Sequence, residues 1–520
     1  MAAEVCDKNN PQDSRLLRMS KKVEELGNKL PHPLYIFLYL LAIVYIASLL
    51  CSWAGVSISY THAAPNGAIT QKTAQVVNLF SKDQIQKLLV SFVPSYGTPV
   101  LLSMLIISMC LGVTEESGFF AASLRKSLLG VPPAVATYAL CIVGVCANQC
   151  GDVGMILTPT LGAVLFQALG RNPWIGIVTG YASAAAGFTA NLFPGNTDVL
   201  ISSISDGVAK GLGYEVNALS NYYFLSAGTF FAAGACALVA ETFIVKLFGD
   251  NRRTLDESAL NNFRLTDAEN RGLRWAGIGM LVLMAIILIG AVPTDGFFRN
   301  QAGQLLPKSP LISSIVVIMG AVFLTLGICY GMGSGSIKSK KQIPLLMTKG
   351  VGNMSGLMLI LLLANLFSMQ FAASGLSMVI SIAGERLLRT INLLGFPMLL
   401  VFVIVIAFLN LFMYSGSAKW MILAPVFIPM FANLGVDPAL TQLAYRIGDS
   451  VTNNLTPLNA CLLTSVALME KYRSAGLNQQ EPGIGTVLAA QAPFSIAFLA
   501  AFLIQLAIFY YFKIPIGINA

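Results

Sequence analysis

Apolar runs of about 20 residues recur along the chain from Leu34 to Phe512, separated by short polar connections. As a helix, a run of that length crosses a hydrocarbon layer of roughly 30 Å. The pattern predicts nine full crossings and two stretches that enter and return. The first crossing covers Leu34–Trp53 and is followed by a polar outer segment, Ser57–Lys87. The second covers Thr98–Val113, and the amphipathic "FFAASLRKSLLG" after it brings Arg125 and Lys126 to the inner face. Next, "VPPAVATYALCIVGVCANQCGDVGMILTPTLGAVLFQALGRNP" holds two apolar arms, each nearer half a crossing than a full one, joined by the polar tip Asn148–Asp152. Such re-entrant arms survive at membrane depth only where protein or a cavity satisfies their backbone.

The third crossing, Trp174 to about Ile201, is interrupted by "TANLFPGNTD", and Tyr222–Phe248 returns to Arg252 and Arg253. A cytoplasmic linker within 249–272 leads to the pair Trp275–Val292 and Leu311–Tyr330, which ends at Lys338, Lys340 and Lys341. Met354–Ile382 goes out irregularly, and the second re-entrant stretch, "FPMLLVFVIVIAFLNLFMYSGSAKWMILAPVFIPMFANLGVDP", follows. The eighth crossing contains "AYRIGDSVTNNLTPLNACLL" and reaches Lys471 and Arg473, and the ninth, Thr486–Phe512, leaves the C-terminus outside. The segments are then 1–30, a cytoplasmic N-terminal stretch; 31–129 and 206–389, scaffold crossings; 130–205 and 390–475, each a hairpin with a broken crossing; and 476–520, the last crossing and outer C-terminus.

Comparing the chain with itself ties the two hairpin units together. "GMILTPTLGAVLFQALGRNP" from Gly154 aligns with "WMILAPVFIPMFANLGVDP" from Trp420, and "TANLFP" from Thr189 aligns with "TNNLTP" from Thr452. The first hairpin enters from the cytoplasm and the second from outside, so the copies are inverted, a plan common among secondary transporters. The expected fold is an all-α polytopic membrane protein of about nine transmembrane helices with two re-entrant helical hairpins in an inverted-topology repeat.

Composition sharpens this picture. Hydrophobic residues make up 56% and charged residues 11% of the chain, against roughly 25% charged in soluble domains. Arg15, Arg18, Lys21, Lys22 and Lys29 precede the first crossing, which sets the N-terminus in the cytoplasm. Arg386 and Arg389 fall on the outer side against the trend, as an interfacial amphipathic helix would place them. No run of five or six basic residues marks a nucleic-acid site. Cys146 and Cys150 lie four apart, but the only histidines are His32 and His62, so a zinc or haem site lacks ligands. The same shortage argues against an intramembrane amide hydrolase, and no G-x-x-x-x-G-K-[ST] fingerprint supports ATP drive.

The chemistry concentrates at the breaks and tips. Proline removes a donor and frees the carbonyl one turn earlier. An unwound segment then offers oxygens to a cation, while the helix N-termini that follow favour a carboxylate. Asn191, Asn196, Thr452 and Asn454 are cation-ligand candidates or caps of the backbone, and Asn148 and Asp152 supply the polarity of the first tip. Arg446 and Asp449 are three apart on one helical face, so they can pair. Alternatively, the Arg446 fork clamps a carboxylate with Asp449 orienting it. Trp420 offers a ring for stacking, with Asn410, Ser415 and Ser417 as hydrogen-bonding groups at the same tip, while Lys419 is either a substrate anchor or a countercharge for Asp449. Asp198 caps the resumed helix or contacts ligand.

The motifs "GNKLPHP" (27–33), "GFTANLFPGNTD" (187–198), "SGSAKWMILAPVFIPMF" (415–431) and "YRIGDSVTNNLTP" (445–457) resemble the AbgT family of p-aminobenzoyl-glutamate transporters, from about residue 15 to the end. The resemblance implies a homodimer in the bacterial inner membrane, no cofactor, and sodium- or proton-coupled movement of aminobenzoyl-glutamate. Some members are linked instead to sulfonamide antimetabolite export. It implies site roles for Asp198, Arg446, Asp449, Pro438 and Pro457. The tip "NQCGD" differs from the serine-rich tips of the family. A dicarboxylate or citrate carrier with the same inverted logic is the other reading.

Overall fold

The computed structural model describes residues 33–63, 69–96, 99–128, 131–250, 264–305, 309–473 and 481–518. The basic residues ahead of the first crossing, Arg252 and Arg253, and most of the 249–272 linker lie outside the described residues. Within them the chain is almost wholly helical. Six helices are long and apolar enough to cross a bilayer: Leu34–Trp53, Pro133–Cys150, Tyr222–Phe248, Asp267–Ala291, Ile315–Ser334 and Ile484–Tyr511. Two bent pairs raise the number to as many as eight: Leu101–Glu116 with Phe119–Leu128 at 61°, and Met358–Ala373 with Leu376–Thr390 at 71°. The protein is a polytopic helical membrane protein. Asp267–Ala291 shows why: it buries only Gly272, Ala276, Gly290 and Ala291 and turns Leu281 and Ile289 outward, a surface suited to lipid rather than water.

Two stretches gain detail here. Within the polar outer segment 57–87, Ser57–Ala63 and Ile69–Gln75 pair as an antiparallel ladder. The irregularity expected over Met354–Ile382 is a break after Ala373, where Gly375 takes a φ of 75°, a left-handed turn that glycine adopts without strain. The separate helix beyond it carries Arg386 and Arg389. Arg386 donates to the Ser59 carbonyl at 2.7 Å, and Arg389 pairs with Glu385 at 2.9 Å.

The first hairpin has arms Ala136–Ala147 and Asp152–Ala168, of 12 and 17 residues, about 18 and 26 Å long at 1.5 Å per residue. With its flanking 3₁₀ turns the first arm becomes Pro133–Cys150, as long as a crossing. Its contacts nonetheless end it at the middle of the neighbouring helix. At the base Thr137 is bonded by Arg171, which also grips Glu241 and Asp250 at 2.7 and 2.8 Å. From there Pro173–Ala186 climbs 14 residues and stops. The tip residue Asn148 meets it at the break, donating to the Ala190 carbonyl at 2.7 Å. The return arm packs on Pro173–Ala186 so closely that a Cβ on Gly162 or Gly176 would sit 2.1 Å from the other's carbonyl oxygen.

Beyond the break the helix resumes over Asn196–Ala209. The second unit repeats the order, with hairpin arms Phe396–Asn410 and Gly416–Ala432, then Pro438–Ser450, a break, and Cys461–Lys471. Gly448 lets the first arm approach, since a Cβ there would lie 2.5 Å from the Val403 carbonyl oxygen. The largest buried cluster surrounds both units, with Phe166, Trp174, Tyr181, Trp420, Tyr445 and Phe494 among its members.

Candidate functional site

Residues 187–195 and 451–460 are non-helical, and the first is bonded to the end of the helix that leads into the second. The Thr189 hydroxyl donates to the Arg446 carbonyl at 2.5 Å and lies 2.6 Å from Ser450 Oγ. Thr189, Asn191, Asn453, Asn454 and Thr456 are all buried. The polar side chains of both breaks are therefore turned inward, while Phe193 in the first break is 71% exposed. The hairpin tips brace them: Asn410 donates to Thr452 Oγ1 at 3.1 Å and Asn453 Oδ1 at 2.8 Å, while Thr452 and Thr456 donate to the carbonyls of Ala407 and Leu411.

Two buried ion pairs sit at this junction, and neither is the one expected from spacing. Arg446 reaches across the repeat boundary to Asp198, with Nη1 2.6 Å from Oδ1. Asp449 is met by Lys419, with Nζ 2.7 Å from Oδ1. Three-residue spacing put Arg446 and Asp449 on one face, but Asp198 and Lys419 from neighbouring elements take them apart. Arg446 approaches Asp198 Oδ1 off the line of an N–H bond, so the contact is chiefly coulombic. Asp198 Oδ2 is also a cap, accepting from the Gly195 N–H at 2.5 Å and from Asn191 at 3.2 Å. Of the two sequence readings of Asp198, the cap is present, and the same carboxylate also pairs with Arg446.

Trp420 is fully buried, stacked on Tyr445 with ring centroids 4.3 Å apart, and its Nε1–H donates to Ser205 Oγ at 2.9 Å. The ring expected to stack on ligand is occupied by the protein in this conformation. Tyr445 in turn donates to the Gly416 carbonyl and lies 3.3 Å from Asp449 Oδ1. Ser415 and Ser417 are half-buried at the same tip, Pro438 begins its helix behind the Asp437 cap, and Pro457 lies in the second break.

The cation-ligand candidates divide. Asn191 Oδ1 and Asn196 Oδ1 are buried without a partner among the described residues, as is Gln149 Oε1 at the first tip. Asn454 is engaged instead by the last crossing, donating to Gln491 and accepting from Ser495 at 2.6 Å. Thr452 Oγ1 is engaged by Asn410 and Ala407. Asn148 spends its amide on the carbonyls of Phe188 and Ala190. The side chain of Asp152 lies outside the described residues.

A cavity of about 1000 Å³ adjoins the junction. Its lining includes Val199 and Met421, next in sequence to Asp198 and Trp420, together with Ser202, Asn365, Ser368 and Ser377. Ligand pockets of small molecules run to roughly 300–1,000 Å³ with few polar groups among apolar walls. These four polar residues were not singled out in the sequence: Asn365, Ser368 and Ser377 each stand among apolar neighbours, and Ser202 sits beside Ser203 just past the break. Asn365 and Ser368 are three apart, a spacing that puts them on one helical face and was the available clue.

Comparison with known proteins follows the same geometry. The "AbgT putative transporter family" matches residues 18–520. The p-aminobenzoyl-glutamate transport protein of Escherichia coli (strain K12) is 29% identical over 511 residues, covering 98% of this chain and 97% of the relative. Among solved structures, the YdaH transporter of Alcanivorax borkumensis is similar with a TM-score of 0.85 and 28% identity, over 94% of this chain and 100% of that one. MtrF of Neisseria gonorrhoeae, described within a class of antimetabolite efflux pumps, has a TM-score of 0.86 and 30% identity, over 95% and 98%. The relatives are transporters and not enzymes. With its broken crossings, braced hairpin tips and whole-length match, the chain belongs to the AbgT family of membrane transporters.

Proposed function

We propose that the chain is a secondary active transporter that moves p-aminobenzoyl-glutamate, or a similar aromatic acyl-glutamate or antifolate, across a bacterial inner membrane. In this reading it works as a homodimer of nine-crossing subunits with inverted repeats, N-terminus inside and C-terminus outside. Coupling is to a sodium or proton gradient. One observation carries the reading: Asp198 and Arg446, one from each broken crossing, form a buried ion pair, and the cavity of about 1000 Å³ begins at Val199, the residue next to Asp198. A substrate carboxylate is a better fork partner for a guanidinium than an off-line aspartate contact. On arrival it competes with Asp198 for Arg446 and loosens the bond between the two repeats. The orphan oxygens of Asn191 and Asn196 suit a coupling cation at the first break. Ser415, Ser417 and Asn410 line the approach to Asp449.

The substrate class is supported by the Escherichia coli relative. Export of a sulfonamide antimetabolite is the second reading, favoured by the likeness to MtrF. The test is flux of labelled aminobenzoyl-glutamate into proteoliposomes, with sodium and pH gradients imposed separately. Flux driven by either gradient supports the proposal, and no flux of aminobenzoyl-glutamate or of a sulfonamide under any gradient refutes it.

A further inference from the structure

Three oxygens converge on the Lys419 ammonium: Asp449 Oδ1 at 2.7 Å, Asn410 Oδ1 at 2.6 Å and the Met413 carbonyl at 3.2 Å. One is a carboxylate, one an amide and one a backbone carbonyl released where the hairpin tip unwinds. This is the donor set that a small monovalent cation finds at the broken helices of carriers. The groups are built in place. Lys419 is 2% and Asn410 0% exposed. Asn410 spends both its N–H bonds on Thr452 and Asn453, which turns its oxygen to the ammonium. An ammonium has three donors and behaves as a compact point charge, so three acceptors satisfy it completely.

We propose that Lys419 is a tethered cation that fills the monovalent-cation position at the second hairpin tip, so that this half of the site binds no sodium. Removing the ammonium while keeping Asp449 opens the position to a sodium ion. The inference rests on the transporter reading, since it takes the tips and breaks as an ion-binding junction. The first break stands apart from it, with the Asn191 and Asn196 oxygens lacking a partner among the described residues and the nearby Arg446 held by Asp198 instead.

The test needs no substrate, so its failure is separable from a failure of the flux assay. Thermal unfolding of the purified full-length protein is followed in sodium chloride against choline chloride at equal ionic strength. Ligands that bind only the folded state raise its midpoint in a saturable way. Lys419→Ala and Lys419→Ser should each gain a saturable, sodium-specific rise beyond that of the unaltered protein, and adding Asp449→Asn should abolish the gain. An unchanged sodium response in a folded Lys419 variant overturns the proposal. If the single variants do not fold, the charge-neutral pair Lys419→Met/Asp449→Asn decides. Retention of the unaltered protein's sodium response supports the proposal, and its loss shows that sodium already binds at Asp449.

Discussion

The Arg446–Asp198 pair allows stability and transport to be separated. At 2.6 Å and an effective dielectric constant of 20, Coulomb's law gives roughly 6 kcal/mol of gross attraction. Desolvating two ions costs several kcal/mol each, so the net worth of the intact pair is small. The cost appears when one partner is removed, at about 3–5 kcal/mol. The two truncations should differ. Arg446→Ala leaves Asp198 with the Gly195 N–H and Asn191 as donors, and falls near the lower figure. Asp198→Ala strands a buried guanidinium and also removes the cap of the resumed helix, worth about 1 kcal/mol more, so it is the worse of the two. The double change Arg446→Met/Asp198→Asn keeps volume and removes both charges, and should fold near the level of the unaltered protein. Transport should be lost in all three. Unfolding midpoints and proteoliposome flux on the same preparations check this. Appreciable flux in the double variant would refute the role of Arg446 in holding a carboxylate, and equal costs for the two truncations would refute the capping argument.

Trp420→Ala should cost about 3–5 kcal/mol, as for other buried aromatic truncations, whereas Trp420→Phe, keeping the stack on Tyr445 and losing the bond to Ser205, should cost about 1 kcal/mol; unfolding midpoints distinguish them. Gly448→Ala places a Cβ 2.5 Å from the Val403 carbonyl oxygen, backbone that cannot rotate away. It should destabilise by about 1–3 kcal/mol and lower flux by prying the hairpin from its helix. Asn454→Ala should lower the unfolding midpoint by breaking the link to Gln491 and Ser495, yet leave the sodium response unchanged, as sodium titration of the folded variant would show.

Much of this architecture was legible because it follows from periodicity and punctuation. Prolines and asparagines inside apolar runs marked both breaks, and the aligned "TANLFP" and "TNNLTP" gave their order. Pairing was less legible. Helical spacing reports only which groups share a face of one helix, and Arg446 lies within 2.6 Å of Asp198, 248 positions away. Trp420 shows the same limit, since its depth was inferable but its neighbour Tyr445 was not. The ladder of Ser57–Ala63 was written in the alternation of "SISYTHA", hidden by the polar composition around it. Lys419 was legible in part: a lysine between two apolar hairpin arms costs several kcal/mol at membrane depth unless a partner awaits it, and Asp449, named as its countercharge in one of its two readings, meets it at 2.7 Å.

The contacts between the breaks also constrain how the protein can move. A ligand shifts a conformational equilibrium only by its difference in affinity between two states. Here the Thr189–Arg446 hydrogen bond and the Asp198–Arg446 ion pair tie the first unit to the second. Lys419, Asn410 and Asp449 tie the second unit only to itself. A substrate that took over the guanidinium would therefore remove the ion pair between units, leaving the Thr189 bonds to the Arg446 carbonyl and Ser450 and the Trp420–Ser205 bond to hinge them, with each unit intact inside. The pair inside the second unit would travel with it, keeping Asp449 neutralised at every stage. A carrier so arranged moves its units as bodies rather than by unwinding them. Cross-linking within a unit, Thr452 to Ala407 for example, should then leave transport standing, while cross-linking Thr189 to Ser450 should stop it. The opposite pattern in paired cysteine variants would mean that the motion lies inside the hairpins.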